Sequence, residues 1–171
     1  MTDITTSRPA LRPKRAERPL CPSPRATSPA VSRVMKANGA RNTGPEIMLR
    51  KALRGIGLAG YRLHLRNVPG RPDIAYPGPK VAVFVNGCFW HRCPHCGPSA
   101  PKSNSGFWLR KFELNRERDR RKTRELRKSG WKVVVAWECQ IKKDPAKVAR
   151  RVQRFVLGEQ GELRTTRKSN A

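Results

Sequence analysis

Val81-Ala-Val-Phe-Val-Asn-Gly-Cys-Phe-Trp-His-Arg-Cys-Pro-His-Cys96 is the stretch on which the reading of this chain turns. Val81 to Val85 is the longest clean apolar run in the sequence, short and Val-rich as a buried strand should be. It leads straight into thiols, imidazoles and two adjacent large aromatics, so the strand delivers reactive groups to the end of a sheet. Metal binding, catalysis and base stacking are all within reach of that chemistry.

Outward from this strand the elements alternate. Pro77-Gly78-Pro79 separates it from Asp73 to Tyr76, which predicts a hairpin. Tyr61, Leu63 and Leu65 alternate with Arg62, His64 and Arg66, a period of two that predicts a strand with one buried and one basic face. Before it, Thr43-Gly-Pro-Glu46 has the form of a capping box with Pro in the first turn. Ile47, Met48, Leu49, Ala52, Leu53 and Ile56 continue it as a helical apolar stripe that ends at Gly57. Phe107 to Lys128 contains no Pro and puts Trp108, Phe112, Asn115, Asp119, Thr123 and Leu126 on one helical face. A Val-rich strand, Lys132 to Trp137, follows the turn at Ser129-Gly130, and Pro145 to Leu157 closes the chain as an amphipathic helix. The order α-β-β-β-α-β-α predicts an α/β domain whose mixed central sheet is flanked by helices.

Thirty-eight Lys and Arg against twelve Asp and Glu leave a formal charge of +26 on 171 residues. That excess repels itself unless a polyanion neutralises it, so nucleic acid is the expected partner; a ribosome-associated or merely basic protein is the bland alternative. The length suits one domain. No apolar run approaches the roughly 18 to 20 residues of a membrane span, and Pro and Arg interrupt the N-terminus where a signal peptide needs an apolar core. The expectation is a cytoplasmic, nucleoid-associated protein. Residues 1–32 carry six Pro and six basic residues and read as a disordered tail, 33–157 as the folded domain, and 158–171 as a flexible polar end.

Five Cys without a secretion signal argue against a disulfide framework. Cys88, Cys93 and Cys96, completed by Cys139 in Trp137-Glu-Cys139, instead supply four soft ligands for a tetrahedral, structural Zn²⁺, with Cys21 as a bystander. His95 is a candidate substitute for one of them, and a redox role for Cys93-Pro-His-Cys96 is the rival reading. Asp73 follows the rigid turn Pro69-Gly-Arg-Pro and is a candidate ligand for a hard cation such as Mg²⁺, though a lone Asp before a strand is usually a turn residue. His91 is the natural proton acceptor near neutral pH, and Asp119, an acid on the inward stripe of the long helix, is its expected partner. Phe89-Trp90 cannot both point inward from an extended loop, so one is expected to face outward and stack on bases. Trp108 has core packing as its default. The run from Arg116 through Arg121 to Lys128 reads as a phosphate-contacting or a solvated face.

Pro69-Gly-Arg-Pro-Asp73, Gly87-Cys-Phe-Trp-His91, Phe107-Trp108, Glu117-Arg-Asp-Arg-Arg121, Gly130-Trp131 and Trp137-Glu-Cys139 together resemble the very-short-patch-repair (Vsr) DNA mismatch endonucleases. The similarity covers about residues 32 to 157. It implies a restriction-endonuclease-like fold and nicking of one DNA strand on the 5′ side of the T in a T:G mismatch left by deamination of 5-methylcytosine. By motif position it implies that Asp73 and the main-chain carbonyl of Val85 bind Mg²⁺, that His91 and Asp119 manage the nucleophilic water, and that Glu46 lies near the metal waters. The capping box accounts for Glu46 equally well. Phe89, Trp90 and Trp108 would wedge into double-stranded DNA beside the mismatch, with Met35 assisting from the opposite side, and the four cysteines would hold zinc. Val85-Asn86 stands where some members have Thr-His, which keeps the carbonyl and removes an imidazole. The expected protein is a monomer, with repair proteins as further partners. The alternatives are a less selective restriction-type nuclease of the same fold and a zinc-stabilised DNA-binding module without catalysis, which would need neither Asp73 nor His91.

Overall fold

The computed structural model describes residues 41–158, together with Pro29 and Arg33. Met35, Cys21 and nearly all of the two tails lie outside the described residues. The elements in chain order are α1 (Gly44–Gly55), β1 (Arg62–Leu63), β2 (Ile74–Tyr76), β3 (Val81–Asn86), α2 (Ser105–Lys128), β4 (Lys132–Trp137), α3 (Glu138–Lys143) and α4 (Pro145–Leu157). The expected order holds, with one addition. A short helix, α3, starts directly after β4, where the sequence reading has a plain connection.

The sheet order is β1-β2-β3-β4. β2 and β3 form the hairpin announced by Pro77-Gly78-Pro79, pairing Ile74 with Val83 and Tyr76 with Val81, and β1 adds antiparallel to β2. β4 lies parallel to β3, with Val81 opposite Lys132 and Asn86 opposite Trp137. Parallel neighbours need a long crossover, here the loop from Gly87 and all of α2. The sheet is therefore mixed and flanked by helices on both faces.

Period-two alternation explains why both faces of β3 and β4 are apolar. Val81, Val83, Val134 and Ala136 face the main core, where Leu49 and Leu53 of α1, Ile141 of α3 and Val148 and Val152 of α4 cover them. Ala82, Phe84, Val133 and Trp131 face the other way and pack under Leu126 of α2, beside Val68. Leu53 is fully buried, so Leu53→Ala should cost about 2–5 kcal/mol.

Two expectations need correcting. The alternation from Tyr61 to Arg66 yields only the two-residue β1, because His64 adopts a left-handed backbone (φ +48°) that ends the strand; Leu63 is left exposed. In α1 the inward stripe narrows to Leu49, Ala52, Leu53 and Ile56, while Ile47 and Met48 sit on the outer face.

Candidate active site

The end of the hairpin carries the first acid. Asp73 stands just before β2, and its Oδ2 accepts a hydrogen bond of 2.7 Å from the Val85 N–H, so the side chain extends the ladder where the strand has run out. A strand residue directs its N–H and C=O to the same neighbour. The Val85 carbonyl therefore turns toward Asp73. Burial pushes the Asp73 carboxyl above the ordinary carboxylate range; the Val85 N–H works against that shift, and the nearby Glu46 carboxylate adds to it.

Glu46 does two things at once. Its carboxylate accepts from Asn42 N (3.0 Å), Thr43 N (3.3 Å) and Thr43 Oγ1 (2.9 Å), as a capping glutamate should, and it is buried at 4 % exposure on the cleft side of α1. His64 comes with it: Nε2 is 3.8 Å from Glu46 Oε2, and Nδ1 is 3.8 Å from Asp73 Oδ1. The sequence reading put His64 on the basic face of a strand. Only the left-handed backbone, which no periodicity reveals, brings it beside the two acids.

Across the cleft, His91 Nδ1 and Asp119 Oδ2 are 2.5 Å apart, joining the loop after β3 to the inward stripe of α2. The same loop is held by Asn115, buried on that stripe, whose Nδ2 donates to the Trp90 carbonyl at 3.0 Å. One open cleft of about 1040 Å³ is lined by Glu46, Asp73 and Val85 on one side and by Trp90, His91 and Asp119 on the other. Arg118 and Lys122 also line it, flanking Asp119 on the same turns of α2. Gly70 makes room for Lys122: a Cβ there would meet Lys122 Cδ at 3.1 Å, and its φ of +78° is itself one that glycine tolerates. Burial lowers the Lys122 ammonium from its ordinary value, with Arg118 adding to the effect.

Of the basic run, then, Arg118 and Lys122 face the cleft. Arg116 and Arg121 are exposed beyond it, with Arg121 4.0 Å from Glu125. Helical phase from Asp119 picks out Lys122, three residues on, but also Arg116, three residues back, and gives no signal for Arg118.

The aromatics form one cluster rather than one inward and one outward ring. Phe89 meets Trp90, Trp108 and Phe112 edge-on at centroid distances of 5.1, 5.4 and 5.3 Å. Phe112 is the buried anchor (2 % exposed), whereas Phe89, Trp90 and Trp108 are half-buried. Phe89 and Trp90 both line the cleft. Alternation misleads here because the loop is turned, not extended: Cys93 N–H bonds the Cys88 carbonyl at 2.9 Å, and Arg92 has φ +52°.

Beside the cluster, Cys88, Cys93, Cys96 and Cys139 bring one sulfur each within 4.8 Å of the others. A tetrahedron of zinc–sulfur bonds has edges of about 3.8 Å. The Cys93–Cys139 sulfur separation is 3.7 Å. The His95 N–H and the Cys139 N–H each point to a cysteine sulfur at 3.4 Å, as amides around bound thiolates do. The donor set fits zinc with the sulfurs alone. His95 is exposed and outside the set, and Cys96, unlike its fellows, is also exposed.

A mixed sheet flanked by helices, with acids and a His–Asp pair converging on one basic-sided cleft, defines the class as a DNA endonuclease. The family model described as DNA mismatch endonuclease Vsr matches residues 26–96. The chain is 36% identical over 133 residues to the DNA mismatch endonuclease Vsr of Escherichia coli (strain K12), covering 75% of this chain and 84% of that protein. It is 41% identical over 108 residues to the Type II nicking enzyme V.XorIIP of Xanthomonas oryzae pv. oryzae, covering 63% and 79%. To the Type II nicking enzyme V.NmeAIP of Neisseria meningitidis it is 41% identical over 109 residues, covering 64% and 77%. The chain belongs to the Vsr family of DNA mismatch endonucleases. Among the described residues no helix is long and apolar enough to cross a membrane.

Proposed function

We propose that this protein, as a monomer with a restriction-endonuclease-like fold in the cytoplasm, nicks one strand of duplex DNA on the 5′ side of the T in a T:G mismatch and so opens very-short-patch repair. The observation that carries this reading is the pairing of His91 with Asp119 across one cleft from Asp73. A binding module has no use for such an arrangement.

Asp73 and the Val85 carbonyl would hold Mg²⁺, with Glu46 beside them; when bound, the ion neutralises phosphate charge and makes water a better nucleophile. The residues fit that group, since a half-buried carboxylate whose pKa is raised by desolvation and by a second acid gains from a cation. His91 accepts the proton of the attacking water, and Asp119 fixes the imidazole's orientation and stabilises its charged form. Arg118 and Lys122 grip the backbone phosphates at the cleft. Phe89, Trp90 and Trp108, braced on Phe112, form a wedge that enters the stack where pairing is already weak. Met35 is proposed to assist that wedge. The four cysteines would hold structural Zn²⁺, tying the loop that bears the wedge and His91 to the start of α3.

A second reading, nicking under a different duplex requirement, is favoured by the name Type II nicking enzyme that two of the relatives carry. End-labelled duplexes with T:G, matched C:G and other mismatches, incubated with and without Mg²⁺, separate the two. Mg²⁺-dependent nicking confined to T:G upholds the first reading. Equal nicking of matched duplex overturns it.

A further inference from the structure

The reaction proposed above makes no use of His64, yet this imidazole lies beside both acids of the cleft. Its nitrogens stand 3.8 Å from Glu46 Oε2 and from Asp73 Oδ1, too far for hydrogen bonds. Nε2 is buried with no hydrogen-bond partner. One ligand atom from each of Glu46, His64 and Asp73 falls within 4.8 Å of the other two. The backbone is arranged for this: His64 sits at φ +48°, and its N–H bonds the Asp73 carbonyl at 3.3 Å, linking the two residues directly. A non-glycine residue in that region carries strain, which proteins retain where function requires it.

We propose that His64, Glu46 and Asp73 are three ligands of one divalent-cation site, His64 binding through a ring nitrogen, and that the site therefore favours a transition ion such as Mn²⁺ over Mg²⁺. An ion about 2.1 Å from its ligands in octahedral geometry separates them by about 3.0 to 4.2 Å, depending on the angle. Each 3.8 Å separation lies inside that range, one measured from Nε2 and the other from Nδ1. The three donor atoms together fall within 4.8 Å, so a side-chain adjustment of a few tenths of an ångström gathers them around one ion through a single ring nitrogen. Mg²⁺ takes oxygen ligands and keeps its waters, whereas imidazole suits the borderline divalent ions. The His64–Glu46–Asp73 set also explains why a buried imidazole nitrogen is left without a partner beside two carboxylates. The inference rests on the reading of Asp73 as the metal-binding carboxylate.

The chain contains three histidines, so the nitrogen ligand can be assigned outright. Mn²⁺ is added to the full-length, zinc-replete protein, and pulsed electron paramagnetic resonance reads ¹⁴N coupling to the ion while titration reads affinity. The wild type, His91→Ala and His95→Ala should carry the coupling. His64→Asn should lose it, with Mn²⁺ affinity falling by about 10-fold or more and Mg²⁺ affinity by a smaller factor. Asn tolerates the left-handed backbone, and circular dichroism checks the fold; if this variant does not fold, His64→Gln is read in the same way. A wild-type complex without ¹⁴N coupling, or coupling that persists in His64→Asn, overturns the proposal. Asp73→Asn separates the two claims. Unchanged Mn²⁺ binding there removes the metal reading of Asp73 together with this inference, whereas lost binding there with coupling retained in His64→Asn removes the inference alone.

Discussion

Replacing Asp119 by Asn keeps the shape of the residue facing His91 but deletes the charge 2.5 Å from Nδ1. A hydrogen bond to a charged group contributes about 1.5–3 kcal/mol, which at 1.4 kcal/mol per decade is about 10- to 150-fold. The two side chains are 21% and 30% exposed, so water screens part of the interaction and the loss belongs at the lower end, about 10- to 30-fold. The charge-stabilised imidazolium forms only as the water loses its proton. The loss should therefore fall on the single-turnover nicking rate of an end-labelled T:G duplex, with the duplex dissociation constant unchanged. His91→Ala removes the base itself and should cost about 10²- to 10⁴-fold. Since Asp119 acts through His91, the double variant should be no slower than His91→Ala alone. Independent, multiplying losses in the double variant would refute the dyad.

Asp73→Asn should abolish nicking and leave duplex binding nearly intact, measured by single-turnover cleavage and by titration; near-wild-type cleavage removes Asp73 from the site. Purified protein should contain about one zinc per chain by elemental analysis. Cys139→Ser should lose the metal or misfold, whereas Cys21→Ser should do neither, and zinc-free folded protein would contradict this. Trp90→Ala should lower the preference for T:G over matched duplex. Arg118→Ala should weaken both duplexes alike and reduce the salt slope by about one unit, and Arg121→Ala, outside the cleft, should change it less. Equal losses on both duplexes for Trp90→Ala would return the aromatics to core packing alone.

Local chemistry made much of this molecule legible in its sequence. Thr43 to Glu46 starts a helix because capping is a short-range matter, Pro77-Gly78-Pro79 makes a hairpin for the same reason, and Asp119 on an apolar stripe required a partner that proved to be His91. What stayed hidden depends on single backbone torsions or on distant packing. His64 looked like one more residue of an alternating strand, and only its φ of +48° turns it from that role. Spacing alone predicts that the aromatic pair splits between core and solvent, because a turned loop and an edge-on cluster on Phe112 cannot be read from it. Helix α3 leaves no periodic signal, because Glu138-Cys-Gln-Ile-Lys-Lys143 is a single short stretch with one buried residue, Ile141. Only the resemblance suggests the roles proposed for Val85 and Met35, which no pattern in the residues points to.

The in-register parallel pairing of β3 and β4 sets where this chain can change length. Both strands stop together, at Asn86 opposite Trp137, so the residues that follow, Cys88 on one side and Glu138-Cys139 on the other, leave the sheet at the same level, and the Glu138 carboxylate takes the Cys88 N–H at 3.2 Å. A residue inserted between Lys132 and Val134 would turn Val134 and Ala136 out of the core and carry Cys139 away from its fellow thiols at one stroke. Between Gly97 and Asn104, after the last clustered thiol and before α2, the chain lies outside both constraints. Natural or engineered variation in length, a peptide tag or a spacer included, should be accepted in that interval and rejected in the strands beside it.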